Sequence, residues 1–253
     1  MDRAPDSCSN RPIRAHRTGD GRCATCAVHD FAVCGVREEG FTEKLQTILG
    51  VIRLEPKQIL FLDHDELDYY FTVFDGLMSI SKYMADGRRQ IAGFLFPGDL
   101  LGISDQETYA YTAQAVITTE LCRFPRRQFE ALADEFPELE RRLLHAVSNE
   151  LIEAQRHMLL LGRQTAEERI AWFLLDLAQR AALRGEPDNP VFVPMVRADV
   201  ADYLGVALET VSRTLATLHQ KKLIEFSGAH HIHLTAPDRL RELVEGADLY
   251  REG

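Results

Sequence analysis

The rhythm of hydrophobic and polar positions changes several times along this chain. Residues 1–40 mix charged and polar side chains with scattered Gly and Pro and hold no sustained period. They predict an extended arm that is ordered, if at all, by a ligand. Residues 41–49 have the spacing of a short amphipathic helix. From 51 to 124 short apolar runs alternate with turn residues. Phe71, Val73, Leu77, Ser79 and Ser81 fall in one strand-like run, Asp86-Gly87 supplies a hairpin turn, and residues 90–96 return. Pro97-Gly98-Asp99 is a further turn, and residues 114–124 form a last strand. Short antiparallel strands at this spacing predict a small β-barrel or roll.

Helical periodicity takes over after Phe124. Residues 126–133 form one helix, Phe136-Pro137 punctuates it, and 138–161 form a long one. Within the long helix Leu144, Val147, Leu151, Ala154, Met158 and Leu161 recur at steps of three and four. Flanked by Arg141, Arg142, Glu150, Glu153 and Arg156, this seam is what a two-stranded coiled coil requires. The same spacing also suits one buried face of an intramolecular helix. A further helix over 166–184 stops at Gly185, and 186–190 form a loop.

Residues 197–216 carry a sharper pattern. Val200, Ala201 and Leu204 face inward on a first helix, Gly205 makes the turn, and Val211, Leu215 and Leu218 face inward on a second. These residue types at these offsets predict a helix-turn-helix, with residues 224–234 as a hairpin wing broken at Ser227-Gly228. Glu209, Ser212 and Arg213 stand on the second helix's opposite face near its N-terminus, the end that enters the DNA major groove. Arg can donate twice to guanine, Glu can accept from a base amino group, and Ser can contact several bases. On an isolated helix, Glu and Arg one turn apart would equally form a surface ion pair.

Composition changes this picture in two places. The 253 residues carry a net charge of −10, mild evidence against nucleic acid that a local basic surface can overcome. No apolar run reaches the length of a membrane span, and Arg3, Arg11, Arg14, Arg17 and Arg22 stand where a secretory leader would be apolar. A cytoplasmic location is therefore expected, and disulfides do not persist there. A metal centre is then one use for Cys23, Cys26, Cys34 and Cys122, with Cys8 left over if four act together; unrelated thiols are the other, with Cys122 in its strand as a small buried hydrophobe. Four thiolates suit either an iron–sulfur cluster or a structural zinc; zinc sites of this kind usually use two close pairs, and only one C-x-x-C exists.

A β-roll, a long dimerising helix and a C-terminal winged helix-turn-helix together resemble the CRP/FNR family of transcription regulators, an α+β fold with a cyclic-nucleotide-binding-like roll. The strings that carry the resemblance are FPGDLLG at 96–102, AEERIAWFLLDLA at 166–178 and YLGVALETVSRTL at 203–215. It implies an arm at 1–40, a sensor roll at 41–137, a dimerisation helix at 138–162 and a DNA-binding domain at 163–246. Glu209, Ser212 and Arg213 match the Glu-x-x-Ser-Arg signature of the FNR branch. The likeness implies that a homodimer reads a TTGAT inverted repeat on double-stranded DNA, with Arg213 addressing the guanine. FNR-type members carry an oxygen-labile [4Fe–4S] cluster, and the C-x2-C-x7-C set with Cys122 is similar to a spacing found in that group. The implied function is a low-oxygen DNA-binding regulator rather than an enzyme. The alternative is a regulator of the same fold that answers to a small molecule and holds zinc.

No arginine lies between Gly98 and Cys122, so a cyclic nucleotide's phosphate would lack its paired cation in the roll. The hairpin charges Lys82, Asp86, Arg88 and Arg89 either contact RNA polymerase, as in related activators, or form a solvated turn. Ala154 is apolar where the best-known FNR pattern has an acidic residue. Glu150 and Glu153 beside the seam stand as its substitutes, which implies a cluster-free dimer less strongly dissociated.

Overall fold

The computed structural model describes residues 15–16, 23, 26–104 and 106–245. Cys8 and the end of the 163–246 segment lie outside the described residues. In chain order come β1 (Ala15–His16), α1 (Phe41–Ile48), β2 (Gly50–Leu54), β3 (Ile59–Phe61), β4 (Tyr69–Asp75), β5 (Met78–Tyr83), β6 (Arg89–Leu95), β7 (Leu100–Leu101), β8 (Thr112–Ala115) and β9 (Thr119–Pro125). Helices α2 (Arg126–Glu135), α3 (Pro137–Arg163) and α4 (Ala166–Leu183) follow. The chain then continues through β10 (Val191–Phe192), α5 (Arg197–Leu204), α6 (Leu208–Gln220), β11 (Ile224–Phe226), β12 (His231–Leu234) and α7 (Pro237–Glu245).

Two antiparallel sheets make the roll, in the orders β1-β2-β9-β4-β7 and β3-β8-β5-β6. Leu54, Val73, Leu101 and Leu121 fill its centre and are fully buried. The run over 71–81, read from the sequence as one strand, is cut at Gly76. Its φ of 99° favours glycine, and a Cβ there would stand 2.6 Å from the Thr118 carbonyl oxygen and from Thr119. The run over 114–124 is likewise cut, between β8 and β9. These two corners cross, and the Thr119 hydroxyl accepts from the Leu77 N–H (3.0 Å) to hold them. Each run therefore serves both sheets.

Residues 26–36 depart from the extended arm expected of them. They form successive turns, with Val28, Ala32, Val33 and Val36 buried. Those four positions put enough apolar surface on one side of the turns to pack like a small core. Two glycines permit the packing. A Cβ on Gly35 would lie 1.6 Å from the His29 carbonyl oxygen, and one on Gly98 would strike the Phe31 ring at 2.3 Å.

Helix α3 starts with Pro137 and buries only Leu139 and Leu160. A capping box of Thr165 and Glu168 opens α4. The second core gathers Ile170, Phe173, Leu174, Val211, Leu218 and Ile232, and it takes in Leu77, Ile91 and Phe94 from the roll. Two elements go beyond the sequence reading. β10 adds a third strand to the wing, in the order β10-β12-β11, and α7 seals the domain with Leu240 and Val244.

Candidate functional site

Cys122 lies on β9, directly opposite Val51 of β2 on one side and Thr72 of β4 on the other. Residues paired across a sheet share a face, so these three stand opposite to Ile52, Val73 and Leu121, which fill the roll. They form the floor of a pocket on the sheet's outer face. Cys23, Cys26 and Cys34 come to the same pocket from the arm, together with Val28, His29, Leu49, Phe74 and Phe124. The structure thus brings together the four cysteines singled out from the sequence.

Burial holds the Cys34 thiol well above its ordinary pKa, and the neighbouring Cys122, Cys26 and Cys23 push it the same way. Cys23 is raised by burial and then by Cys26. Thiols that oppose one another's ionisation become thiolates together only around positive charge. Among the described residues no three His, Cys, Asp or Glu side chains form a set for a single metal ion. One polar atom in the wall is orphaned: the Thr72 hydroxyl is buried and has no hydrogen-bond partner among the described residues.

The arm is fastened to the start of α3. Arg142 donates to the Ala32 carbonyl (3.1 Å) and to Glu138 (3.2 Å), while Glu138 accepts from the Arg37 N–H (3.1 Å). The Glu138 N–H, an orphan donor of the helix's first turn, is satisfied by Glu38 (2.7 Å). The sequence had marked Arg142 only as a flank of the seam, and none of its partners here.

The far end of α3 meets the helix-turn-helix. His157 stacks on Tyr203 with ring centroids 4.2 Å apart and hydrogen-bonds the Tyr203 carbonyl (3.0 Å). Arg169 of α4 donates to the carbonyls of Leu161 (2.9 Å), Gln164 (2.9 Å) and Leu204 (2.8 Å). It therefore ties the last turn of α3 to the turn between α5 and α6. Gly205, with φ 62°, lets that turn approach Leu161. On the roll side Arg89 pairs with Asp199 and Asp202 of α5, and Gln90 donates to the Asp202 carbonyl (2.6 Å). Arg89 is thus engaged within the chain, and residues 82–88 are the exposed part of the hairpin.

Glu209, Ser212 and Arg213 are all exposed on α6, and Val211, Leu215 and Leu218 are buried beneath them. No ion pair joins Glu209 to Arg213 among the described residues; Arg213 instead contacts the Thr210 hydroxyl at 3.4 Å. The surface-pair reading of these two residues is not what the structure contains. On α3, Leu144 (70 % exposed), Val147, Leu151, Ala154 and Met158 (69 %) lie open, and Leu161 is half-buried. Glu153 pairs with Arg180 (3.1 Å) and Arg156 (3.0 Å), so its charge is already compensated beside the seam.

A large cavity between the roll, α3 and α4 is lined by Asp99, Glu150 and Asp176, with Arg180 as their cationic neighbour. Burial raises the pKa of both Asp99 and Asp176, although Arg180 opposes the shift. No helix of the described residues is long and apolar enough to cross a membrane.

Residues 168–243 match the Crp-like helix-turn-helix domain, and residues 51–136 match the cyclic nucleotide-binding domain. The chain is similar to the transcriptional activator protein Anr of Pseudomonas protegens, 36% identical over 241 residues that cover 94% of this chain and 98% of that one. It is also similar to the transcriptional activator protein FnrL of Cereibacter sphaeroides, 36% identical over 231 residues, 90% of this chain and 92% of that protein. Among solved structures, FixK2 from Bradyrhizobium japonicum superposes with a TM-score of 0.73 at 35% identity, covering 78% of this chain and 97% of that one.

Proposed function

This chain belongs to the CRP/FNR family of DNA-binding transcription regulators, and we propose that it is an oxygen-responsive member that holds a [4Fe–4S] cluster on Cys23, Cys26, Cys34 and Cys122. The observation that carries this reading is that four cysteines from two separate parts of the chain line one apolar-walled pocket. Four thiol donors spread around a shared pocket suit a polynuclear cluster. Zinc sites built from four cysteines usually use two close pairs, and only one C-x-x-C exists here. Thr72, whose buried hydroxyl has no hydrogen-bond partner among the described residues, lines the same pocket. When bound, the cluster supplies an oxygen-labile cross-link between the arm and the roll.

The chain's own residues carry the consequence. With the three arm cysteines held against Cys122, residues 26–37 stay seated and present the Ala32 carbonyl and the Arg37 N–H to α3. Arg142 and Glu138 then fix the first turns of α3, whose apolar face of Leu144, Val147, Leu151, Ala154, Met158 and Leu161 pairs with a second copy. Such a dimer sets two α6 helices about one DNA turn apart, roughly 34 Å, on a palindrome. Arg213, Glu209 and Ser212 read the base edges of a TTGAT-type half-site. A cyclic nucleotide is not the effector in this reading, because the cavity beside α3 sets Asp99, Glu150 and Asp176 against Arg180. Residues 82–88 remain as a surface for RNA polymerase, and the cytoplasm is the compartment.

Anaerobic purification followed by iron, sulfide and zinc analysis tests the proposal. Coloured protein with iron and sulfide in equal amounts is expected, and exposure to air should remove both. Colourless protein with stoichiometric zinc would overturn it.

A further inference from the structure

Thr72 is an anomaly of the cysteine pocket. It is 1% exposed in the middle of β4, and its hydroxyl has no hydrogen-bond partner among the described residues. Val51, Phe74 and Phe124 line the same pocket and make an environment in which valine, the same shape without the hydroxyl, would pack with no polar group to satisfy. A buried hydroxyl left unpaired is costly, and nothing in the packing of the protein alone requires it. Thr72 is also paired in register with Cys122, so the two side chains share the outer face of the sheet and the same pocket.

We propose that Thr72 is a positioning residue for the cluster, whose hydroxyl donates to a sulfur of the bound cluster–thiolate set beside Cys122. The proposal rests on the cluster reading above and adds a fifth residue to its site. Thiolate and sulfide sulfurs are electron-rich acceptors, and donors to them hold an iron–sulfur centre in place and tune it. A threonine suits the task. Its β-branched stem packs in a strand as valine does, while its hydroxyl rotates to reach an acceptor. The orphaned state of the hydroxyl and its pairing with Cys122 then have a single explanation: the partner is the group that the pocket is built to take.

This assignment predicts effects of opposite sign in the two forms of the protein. Thr72→Val removes a buried, unpaired donor from the cluster-free chain, so the thermal midpoint of that form should hold or rise. In the anaerobic, cluster-loaded chain the same change removes a hydrogen bond to an anionic acceptor. Iron release to a ferrous chelator, followed without oxygen, should then quicken by about tenfold. Thr72→Ser keeps the hydroxyl and should restore slow release despite its looser packing. A purely structural role for Thr72 would move the two forms in the same direction. Equal release rates for wild type and Thr72→Val would overturn the assignment while leaving the cluster reading intact. Wild-type protein without iron and sulfide would overturn both.

Discussion

The two ends of α3 are fastened by different kinds of contact. At the start of the helix, an arm carrying three cysteines is held through Arg142, Glu138, Glu38 and the backbone of Ala32 and Arg37. At the far end, His157 lies flat on Tyr203 and Arg169 collects three carbonyls from α3 and the helix-turn-helix. Both joints are partly buried; the near one is made of separate hydrogen bonds, each contributing about 0.5–1.5 kcal/mol net. The far one adds a ring stack and gathers several carbonyls on one planar guanidinium, which makes it the stiffer joint. The first joint is suited to release and the second to transmission. In the function proposed above, a signal at the cysteines would change the footing of α3 without parting α3 from the helix-turn-helix.

The sharpest way to break this contrast is at the far joint. Arg169→Ala orphans the carbonyls it serves, at a cost of about 3 kcal/mol and roughly 6–10 °C in thermal midpoint. Because that joint transmits in both states, DNA affinity should fall in the presence and the absence of oxygen, as a gel-shift titration would reveal. A variant that lost affinity only without oxygen would contradict the assignment. Gly35→Ala attacks the near joint instead. With the His29 carbonyl 1.6 Å from the new Cβ, the turn must reopen and Cys34 must shift. Iron content and anaerobic DNA binding should both drop, while the cluster-free C-terminal half unfolds as before.

Arg142→Ala is gentler. Stability should change by about 1 kcal/mol or less, since Arg142 is partly exposed. The cluster should load normally, yet the ratio of anaerobic to aerobic DNA affinity should shrink. A ratio equal to that of wild type would mean that the latch carries no signal. The smallest effect belongs to pH. Burial holds the His157 pKa below its ordinary 6.5, and nearby Arg169 adds to the shift. The unfolded chain then binds more protons, so this histidine's contribution is present above about pH 6.5 and fades as pH falls. Asp99 and Asp176, raised by burial, act in the opposite sense. The readout is therefore a difference. His157→Gln should lose stability at pH 7 relative to wild type, and that gap should narrow toward pH 5.

The sequence made some of this legible and hid the rest for physical reasons. The helix-turn-helix was readable because Val200, Ala201, Leu204, Gly205 and Val211 obey one local period, and Glu209, Ser212 and Arg213 follow from it. The four cysteines were readable as a set because the C-x2-C-x7-C spacing with Cys122 is similar to that of FNR-type regulators. The arm's packing was not, since Val28, Ala32, Val33 and Val36 follow no regular period. Gly76 looked like an interior strand residue because the corner it makes depends on Thr118 and Thr119, far along the chain. His157, Arg169 and Thr72, and the contact of Arg142 with the arm, were missed for the same reason. Their partners lie on other elements, and no spacing announces a contact between Arg142 and Ala32.

The central claim is that the occupant of the cysteine pocket governs DNA binding through α3. Fluorescence anisotropy with a duplex bearing an inverted TTGAT repeat tests it most directly, on one anaerobic sample measured before and after air, with Cys122→Ala alongside. Affinity should fall by roughly tenfold or more as iron is lost. Cys122→Ala, folded but without the cluster, should bind weakly in both conditions. Equal affinity before and after the iron is lost, or tight binding by Cys122→Ala, would contradict that claim.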